Sequence, residues 1–260
     1  MNKNLEERYL NVIEDNVNVG KSNVGIEFII LISGIAALIF GLYIFADTVG
    51  NFFIDRMSDE TQMKIEHAFS YNIQPTVNNQ EEEIRVLENI RDEIVPLDKK
   101  LQGKSKFPIY EINKKEINAF VTPNGTIFFT KGLLKEIKDE EVLTFILAHE
   151  LGHYAHRDHL KTISRQIIIS AVISIFSAGN NNLDITINSI SDLNNLNYSR
   201  KQEKEADLYA NKIVYKLYGR NTGAVEFFKF LEKKDKMPEY LQYFSTHPST
   251  KQRLKLIEQN

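Results

Sequence analysis

At 260 residues, 42% apolar and 26% charged, the chain is long enough for one generous domain, with or without an appendage, and too apolar for whole-chain disorder. Lys plus Arg number 32 against 35 Asp plus Glu, so a net charge of −3 replaces the basic excess expected of a nucleic-acid binder. With zero cysteines, disulfides, thiol catalysis and cysteine-held zinc or iron–sulfur clusters are excluded.

Residues 1–27 form a leader that contains Glu6, Glu7, Glu14 and Asp15. From Phe28 to Ala46 there follow 19 residues without a charge, bracketed by Glu27 and Asp47. At 1.5 Å per residue the run reaches about 28 Å, against roughly 30 Å for a bilayer's hydrocarbon core. A buried core helix usually shows a polar stripe, and this run shows none. A cleavable signal peptide fits badly with the long acidic leader and the missing A-x-A site. The expectation is one uncleaved transmembrane anchor at 28–46, seated in the lipid bilayer. Lys3, Arg8 and Lys21 precede it and Arg56 and Lys64 follow, a bias towards a cytoplasmic amino terminus and an exported, periplasmic body. Ser33, Ala37 and Gly41 recur at every fourth position, a small-residue ridge suited to a homo-oligomer.

Residues 47–80 read as a tether, polar and irregular from Asp55 onwards, with Gln74-Pro75-Thr76 ending any helix. Between Glu81 and Leu101, Ile84, Leu87, Ile90, Ile94 and Leu97 follow the gaps of three and four that mark an amphipathic helix. Pro96 breaks it near its end. The period then changes. Phe107 to Ile112 alternates in part, and Asn118–Val121 and Thr126–Thr130 flank Pro123-Asn124-Gly125, the signature of a β-hairpin. Helices are expected over Leu133–Arg157, Lys161–Ser177, Arg200–Tyr218 and Ala224–Lys234, and from Ser249 or Thr250 towards Ile257. The asparagine-rich stretch Asn180–Asn197 reads as a loop. Residues 81–260 thus form an α+β domain, mainly helical with a small hairpin or sheet. Ile167 to Phe176 is too short to span a membrane, so a buried helix is its default reading and a membrane-facing one the alternative.

One motif in that domain points to chemistry. His149-Glu150-Leu151-Gly152-His153 is H-E-x-x-H inside a helical stretch, led in by Val142, Phe145, Ile146 and Leu147. Four residues advance a helix by about 400°, so both histidines project from one face, one turn apart, as two ligands of one metal require. Glu150 lies about 100° round, beside the metal position without being a ligand. A catalytic zinc needs a third protein ligand and an open fourth position. Two residues compete for the third. His159, six residues after His153, has no glycine turn before it, and on a continuing helix it points about 240° away. Glu203, in Ser199–Asp207, would supply a carboxylate from a second helix, with Asp207 one turn further on the same face to hold a ligand histidine's tautomer. Charged runs of that kind are usually wet helix faces, and Glu205 lies about 200° from Glu203, towards solvent.

Four blocks in order carry a resemblance. Asn118–Leu134 is similar to an N-A-F-x-x-P-G-G-x-I-x-x-x-x-G-L-L hairpin, Asp139–His153 to a D-E-x-E-L-x-x-V-L-A-H-E-x-G-H helix, Ser199–Ala210 to S-R-x-x-E-x-x-A-D-x-x-A, and Thr246–Arg253 to T-H-P-x-x-x-x-R. Together they resemble the HtpX-like and CAAX-prenyl-protease-like membrane-associated zinc metallopeptidases (peptidase family M48). Asn124 stands where that family usually has glycine, a departure that asparagine absorbs at positive φ.

The resemblance implies a gluzincin-type fold and one zinc ion per chain, held by His149, His153 and Glu203, with Asp207 behind them and Glu150 as general base. For His247 it leaves three readings: a catalytic oxyanion donor, an inhibitory cap on the zinc, or a turn cap. Asn118, Thr126, Ile127 and Phe128 become candidate substrate-binding residues, because the strand Thr126–Phe129 or its hairpin partner can offer an edge to an extended polypeptide. The implied activity is a membrane-anchored endopeptidase for unfolded or misfolded chains. The rival reading is a catalytically silent, membrane-tethered, chaperone-like binding protein.

Overall fold

A computed structural model describes residues 23–68, 82–176, 198–234, 247 and 250–258. The chain divides into two compact units, residues 1–45 and 46–260. The expected leader (to residue 22), residues 69–80 and the asparagine-rich stretch fall outside the described residues.

Helix α1 (Val24–Arg56) is, among the described residues, the one helix long and apolar enough to cross a membrane. Within the first unit its side chains are exposed, Ser33 and Ala37 among them, except for a half-buried Leu42. The expected tether is corrected at this point. Nothing between Asp47 and Arg56 breaks a helix except a tolerated Gly50, and the Asn51 amide donates to Asp47 Oδ2 one turn back. The helix therefore runs on into the second unit, where Ala46, Gly50 and Ile54 are buried at four-residue spacing. Ser58 then accepts from the Thr61 amide and opens α2 (Asp59–Ala68).

Helix α3 (Glu82–Ile94) buries Ile84, Leu87, Ile90 and Ile94, as its period requires. Pro96 turns the chain into a short 3-10 segment, Val95–Leu97, which leaves Leu97 exposed instead of on the core. Three strands follow: β1 (Ile109–Ile112), β2 (Ala119–Val121) and β3 (Ile127–Thr130), in the order β1-β3-β2. β2 and β3 form the expected hairpin, and β1 pairs parallel with β3. This order overturns part of the substrate-edge expectation. Ile127 and Phe128 lie on the central strand, with partners on both sides, and the Thr126 carbonyl already accepts from Thr122. The sheet edges belong to β1 and β2, and β2 is the hairpin partner of β3. Asn124 also departs from expectation. The left-handed residue of the turn is Gly125 (φ 80), while Asn124 Oδ1 accepts from the Thr126 amide and the Thr122 hydroxyl.

The long helix expected over Leu133–Arg157 is two. α4 (Lys131–Glu136) ends at Ile137, and Asp139 caps α5 (Glu140–Ala155) by accepting from the Val142 amide. Burial of α5 is continuous from Glu141 to Tyr154. Arg157, left-handed at φ 58, separates it from α6 (Asp158–Phe176). The default reading of Ile167–Phe176 as buried fails: Ile167 is 44% exposed and Ile173 48%.

Helix α7 (Arg200–Tyr218) starts in a Ser199/Gln202 capping box and stops at left-handed Gly219. α8 (Thr222–Lys234) and α9 (Thr250–Glu258) follow among the described residues. The core packs β2, α3, α7 and α8 around α5. Where α5 meets α7, a Cβ on Gly152 would stand 3.0 Å from the Tyr209 ring and 3.4 Å from Ala206 Cα. That close approach draws the flanking Glu203 and Asp207 up to the H-E-x-x-H turn.

Candidate metal centre

His149 and His153 project from α5, Glu203 from the first turn of α7, and His247 from just before α9; all four are buried. Each offers one donor atom, and these atoms lie within 4.8 Å of one another. His149 Nε2 is 3.0 Å from His153 Nε2, 3.8 Å from Glu203 Oε2 and 3.4 Å from His247 Nδ1. Glu203 Oε1 is 3.4 Å from His153 Nε2 and 2.9 Å from His247 Nδ1. Two donors tetrahedrally bound to zinc at about 2.0–2.1 Å stand about 3.3 Å apart. The observed edges bracket that value, and nitrogen with carboxylate oxygen is a zinc donor set. The residues fit a zinc ion.

The surroundings orient these donors. Asp207 Oδ1 is 3.1 Å from His149 Nδ1, and Asp158 Oδ2 is 2.9 Å from His153 Nδ1, so both rings turn Nε2 towards the centre. Arg253, also buried, donates from Nε and an Nη to the two oxygens of Asp207, each at 2.7 Å, and its other Nη is 2.7 Å from Glu203 Oε2. Tyr198 stacks on the His153 ring at 3.9 Å between centroids. Glu150 is buried beside the cluster. His247 Nε2 is 3.7 Å from its Oε1, and the Val121 backbone amide donates to its carboxylate.

Burial pushes His149 down to about 4 against the pull of Asp207, which leaves its ring neutral at neutral pH. Burial also acts to lower His153, but Asp158 and Glu203 outweigh it and hold that ring up at about 10. For Glu203, burial acts upward, and Arg253, His247 and His153 outweigh it and keep the carboxyl well below its usual range. Burial raises Glu150, partly offset by His247 and His153. The carboxylates thus draw positive charge to the centre: a proton on His153, or a metal ion in its place.

Of the remaining candidates, Asn118 is buried at the end of β2, where its carbonyl accepts from the Thr130 amide; its Oδ1 has no hydrogen-bond partner among the described residues. Thr126, Ile127 and Phe128 lie on the far side of β2 from Glu150 and do not join the cluster. His159 stays outside too, fully buried and stacked on Tyr154 at 5.4 Å. Its exclusion has a different cause from the one expected, because α5 does end before it. Sequence reasoning missed Asp158 and Tyr198 and gave Arg253 no role, although Arg253 stood in one of the resembling blocks.

Comparison with known proteins matches residues 81–260 to Peptidase family M48. The chain is 30% identical over 159 residues to the mitochondrial metalloendopeptidase OMA1 of Schizosaccharomyces pombe, covering 59% of this chain and 46% of that one. With the mitochondrial metalloendopeptidase OMA1 of Homo sapiens it shares 32% over 169 residues, 58% of this chain and 31% of that one. Protease HtpX of Legionella pneumophila is 29% identical over 207 residues, 69% of this chain and 68% of that one. The chain thus spans less than half the length of the two metalloendopeptidases.

Proposed function

The chain belongs to peptidase family M48, and on that footing we propose that it is a membrane-anchored zinc endopeptidase acting on unfolded or misfolded polypeptide. One observation carries the reading: two histidines on α5 and a carboxylate on α7 converge, with a second buried carboxylate, Glu150, beside them. His149, His153 and Glu203 are the residues that would hold the metal. A zinc ion held there would supply Lewis-acid chemistry, bringing the pKa of bound water towards about 7 and polarising a carbonyl.

The chain's own groups do the rest. Glu150, raised by burial towards the range a base needs, takes a proton from the attacking water and delivers it to the departing amine nitrogen. Asp207 and Asp158 fix the histidine tautomers, and Arg253 holds the Glu203 and Asp207 carboxylates in place. β2 supplies the substrate edge. Phe120 faces β3 in the ladder, so the peptide groups of Ala119 and Val121 turn the other way, towards Glu150. An extended polypeptide pairing there binds through its main chain with little demand on sequence. Asn118 Oδ1, without a hydrogen-bond partner among the described residues, stands at the start of that edge as an acceptor for a substrate amide. α1 serves as the anchor, with the body on the exported side and Ser33, Ala37 and Gly41 as a self-association ridge.

A specific position favours a refinement for His247. Its Nδ1 lies 3.4 Å from His149 Nε2 and 2.9 Å from Glu203 Oε1, a position that supports the capping reading. His247→Ala raises basal cleavage if capping is its role, and lowers kcat if oxyanion stabilisation is.

Full-length protein in detergent, loaded with zinc, is expected to cleave casein, and Glu150→Gln to reduce the rate by about 10²–10⁴-fold. Equal rates for the two would leave the silent binding protein as the better account.

A further inference from the structure

Two adjoining cavities in the second unit take no wall from the residues of the metal centre. One, of about 440 Å³, has Asp55, Asp59, His156, Arg157 and Lys161 on its walls. Lys99, Lys100 and Lys104 close it from the turn after Leu97, and Glu205 from α7. The other, of about 240 Å³, is lined in part by Asp98, Tyr209, Lys212 and Lys216, and by Lys100 again. Lys100 is common to both. The rings of His156 in the first and Tyr209 in the second stand 5.7 Å apart, edge to face.

The walls carry seven lysine and arginine side chains against four carboxylates, in a chain whose net charge is −3. Those carboxylates are already engaged. Asp55 is 2.8 Å from Lys161, and Asp59 is 2.8 Å from Lys104 and 2.6 Å from Arg157. Asp98 accepts from the Lys100 backbone amide at 2.9 Å, and Glu205 is 3.9 Å from Lys201, which lines neither cavity. Lys99, Lys100, Lys212 and Lys216 therefore make no ion pair among the described residues. Lys212 and Lys216 stand four apart on α7, a spacing at which like charges repel. A polar atom in the first cavity's wall is also unmatched. His156 Nδ1 is buried and has no hydrogen-bond partner among the described residues, and a ring nitrogen can donate to an anion.

We propose that the two cavities form one binding site for an anion with several phosphoryl groups in a row, either a free polyphosphate chain or the triphosphate of a nucleotide. Lysines bind phosphate as point charges, and each phosphoryl group brings negative charge and several acceptor oxygens. A carboxylate ligand would match one lysine. A lone orthophosphate would fill a small part of the larger cavity and leave Lys212 and Lys216 unmatched. A chain that passes Lys100 reaches the lysines on both sides of it.

Full-length, zinc-loaded protein in detergent is titrated by calorimetry with sodium tripolyphosphate, ATP and orthophosphate at low ionic strength. Tripolyphosphate is expected to bind one to one, at least about tenfold more tightly than orthophosphate, and to weaken as salt screens the lysines. Lys100→Ala and the double variant Lys212→Ala/Lys216→Ala should each lower its affinity about tenfold or more, as loss of a charge-assisted hydrogen bond implies. Lys229→Ala on α8 should leave it unchanged. The substituted lysines are exposed, and circular dichroism confirms that each variant folds. ATP that binds like tripolyphosphate extends the site to nucleotides, and ATP that is excluded assigns it to free chains. Absence of tripolyphosphate binding overturns the proposal. Binding that survives Lys100→Ala and the double variant places the anion elsewhere, on the zinc for instance, and also overturns it. Equal weakening in every variant, Lys229→Ala included, means general charge attraction without a site, which overturns it too.

Discussion

Helices α5 and α6 follow one another with only His156 and Arg157 between them, and they are built on opposite plans. α5 is buried from Glu141 to Tyr154, so apolar residues on every side pack on the sheet, α3, α7 and α8, and His149 and His153 are held inside that packing. α6 is buried over its first turns, through Leu160, Thr162, Ile163 and Arg165, and then exposes apolar residues. Apolar composition alone does not separate them. What separates them is whether the rest of the body surrounds the helix, and a metal centre needs the surrounded one. In a dry interior the carboxylates that orient each ligand are not competed away by water.

That contrast can be broken in three places. The largest effect is expected at Phe145 on α5, which is fully buried against Phe227 and Phe228. Phe145→Ala should cost about 3–5 kcal/mol, read as the midpoint of denaturant unfolding in detergent. A cost near zero would mean that α5 is not the packed centre of the domain. Asp158, at the junction, comes next. Asp158→Asn retains the shape but weakens the hold on His153 Nδ1, and zinc affinity measured against a chelator should fall about 10–100-fold. An unchanged affinity would make the contact incidental. The smallest effect belongs to the far half of α6. Ile173→Ala in the same unfolding assay should stay within about 0.5 kcal/mol, because the side chain is half exposed. A large loss there would erase the difference between the two helices.

The junction also shows what a sequence discloses. Local spacing reveals local geometry: H-E-x-x-H places two imidazoles on one face whatever surrounds it, and the Pro123-Asn124-Gly125 turn announces its hairpin. The end of α5 was hidden because no glycine or proline marks it. Arg157 takes up the left-handed conformation, and tertiary contacts sustain it: its guanidinium donates to the Ile54 and Met57 carbonyls and to Asp59. Only that break brings Asp158 back onto His153. The same limit hid the sheet order, since the pattern of a strand does not name its neighbours, and β3 proved to be the central one. Arg253 lies 46 residues beyond Asp207, too far for any periodicity to relate them. The tether was misjudged for a related reason. Polar residues between Asp55 and Gln62 looked solvated, yet Asp55, Asp59 and Gln62 are side-chain partners of Lys161, Arg157 and Lys104.

The sharpest check compares two alanine variants of the full-length protein by bound zinc after dialysis, with circular dichroism to confirm folding. Glu203→Ala should lose the metal and His159→Ala should retain the wild-type amount. Zinc that survives the first change and disappears in the second would contradict a centre built from α5 and α7.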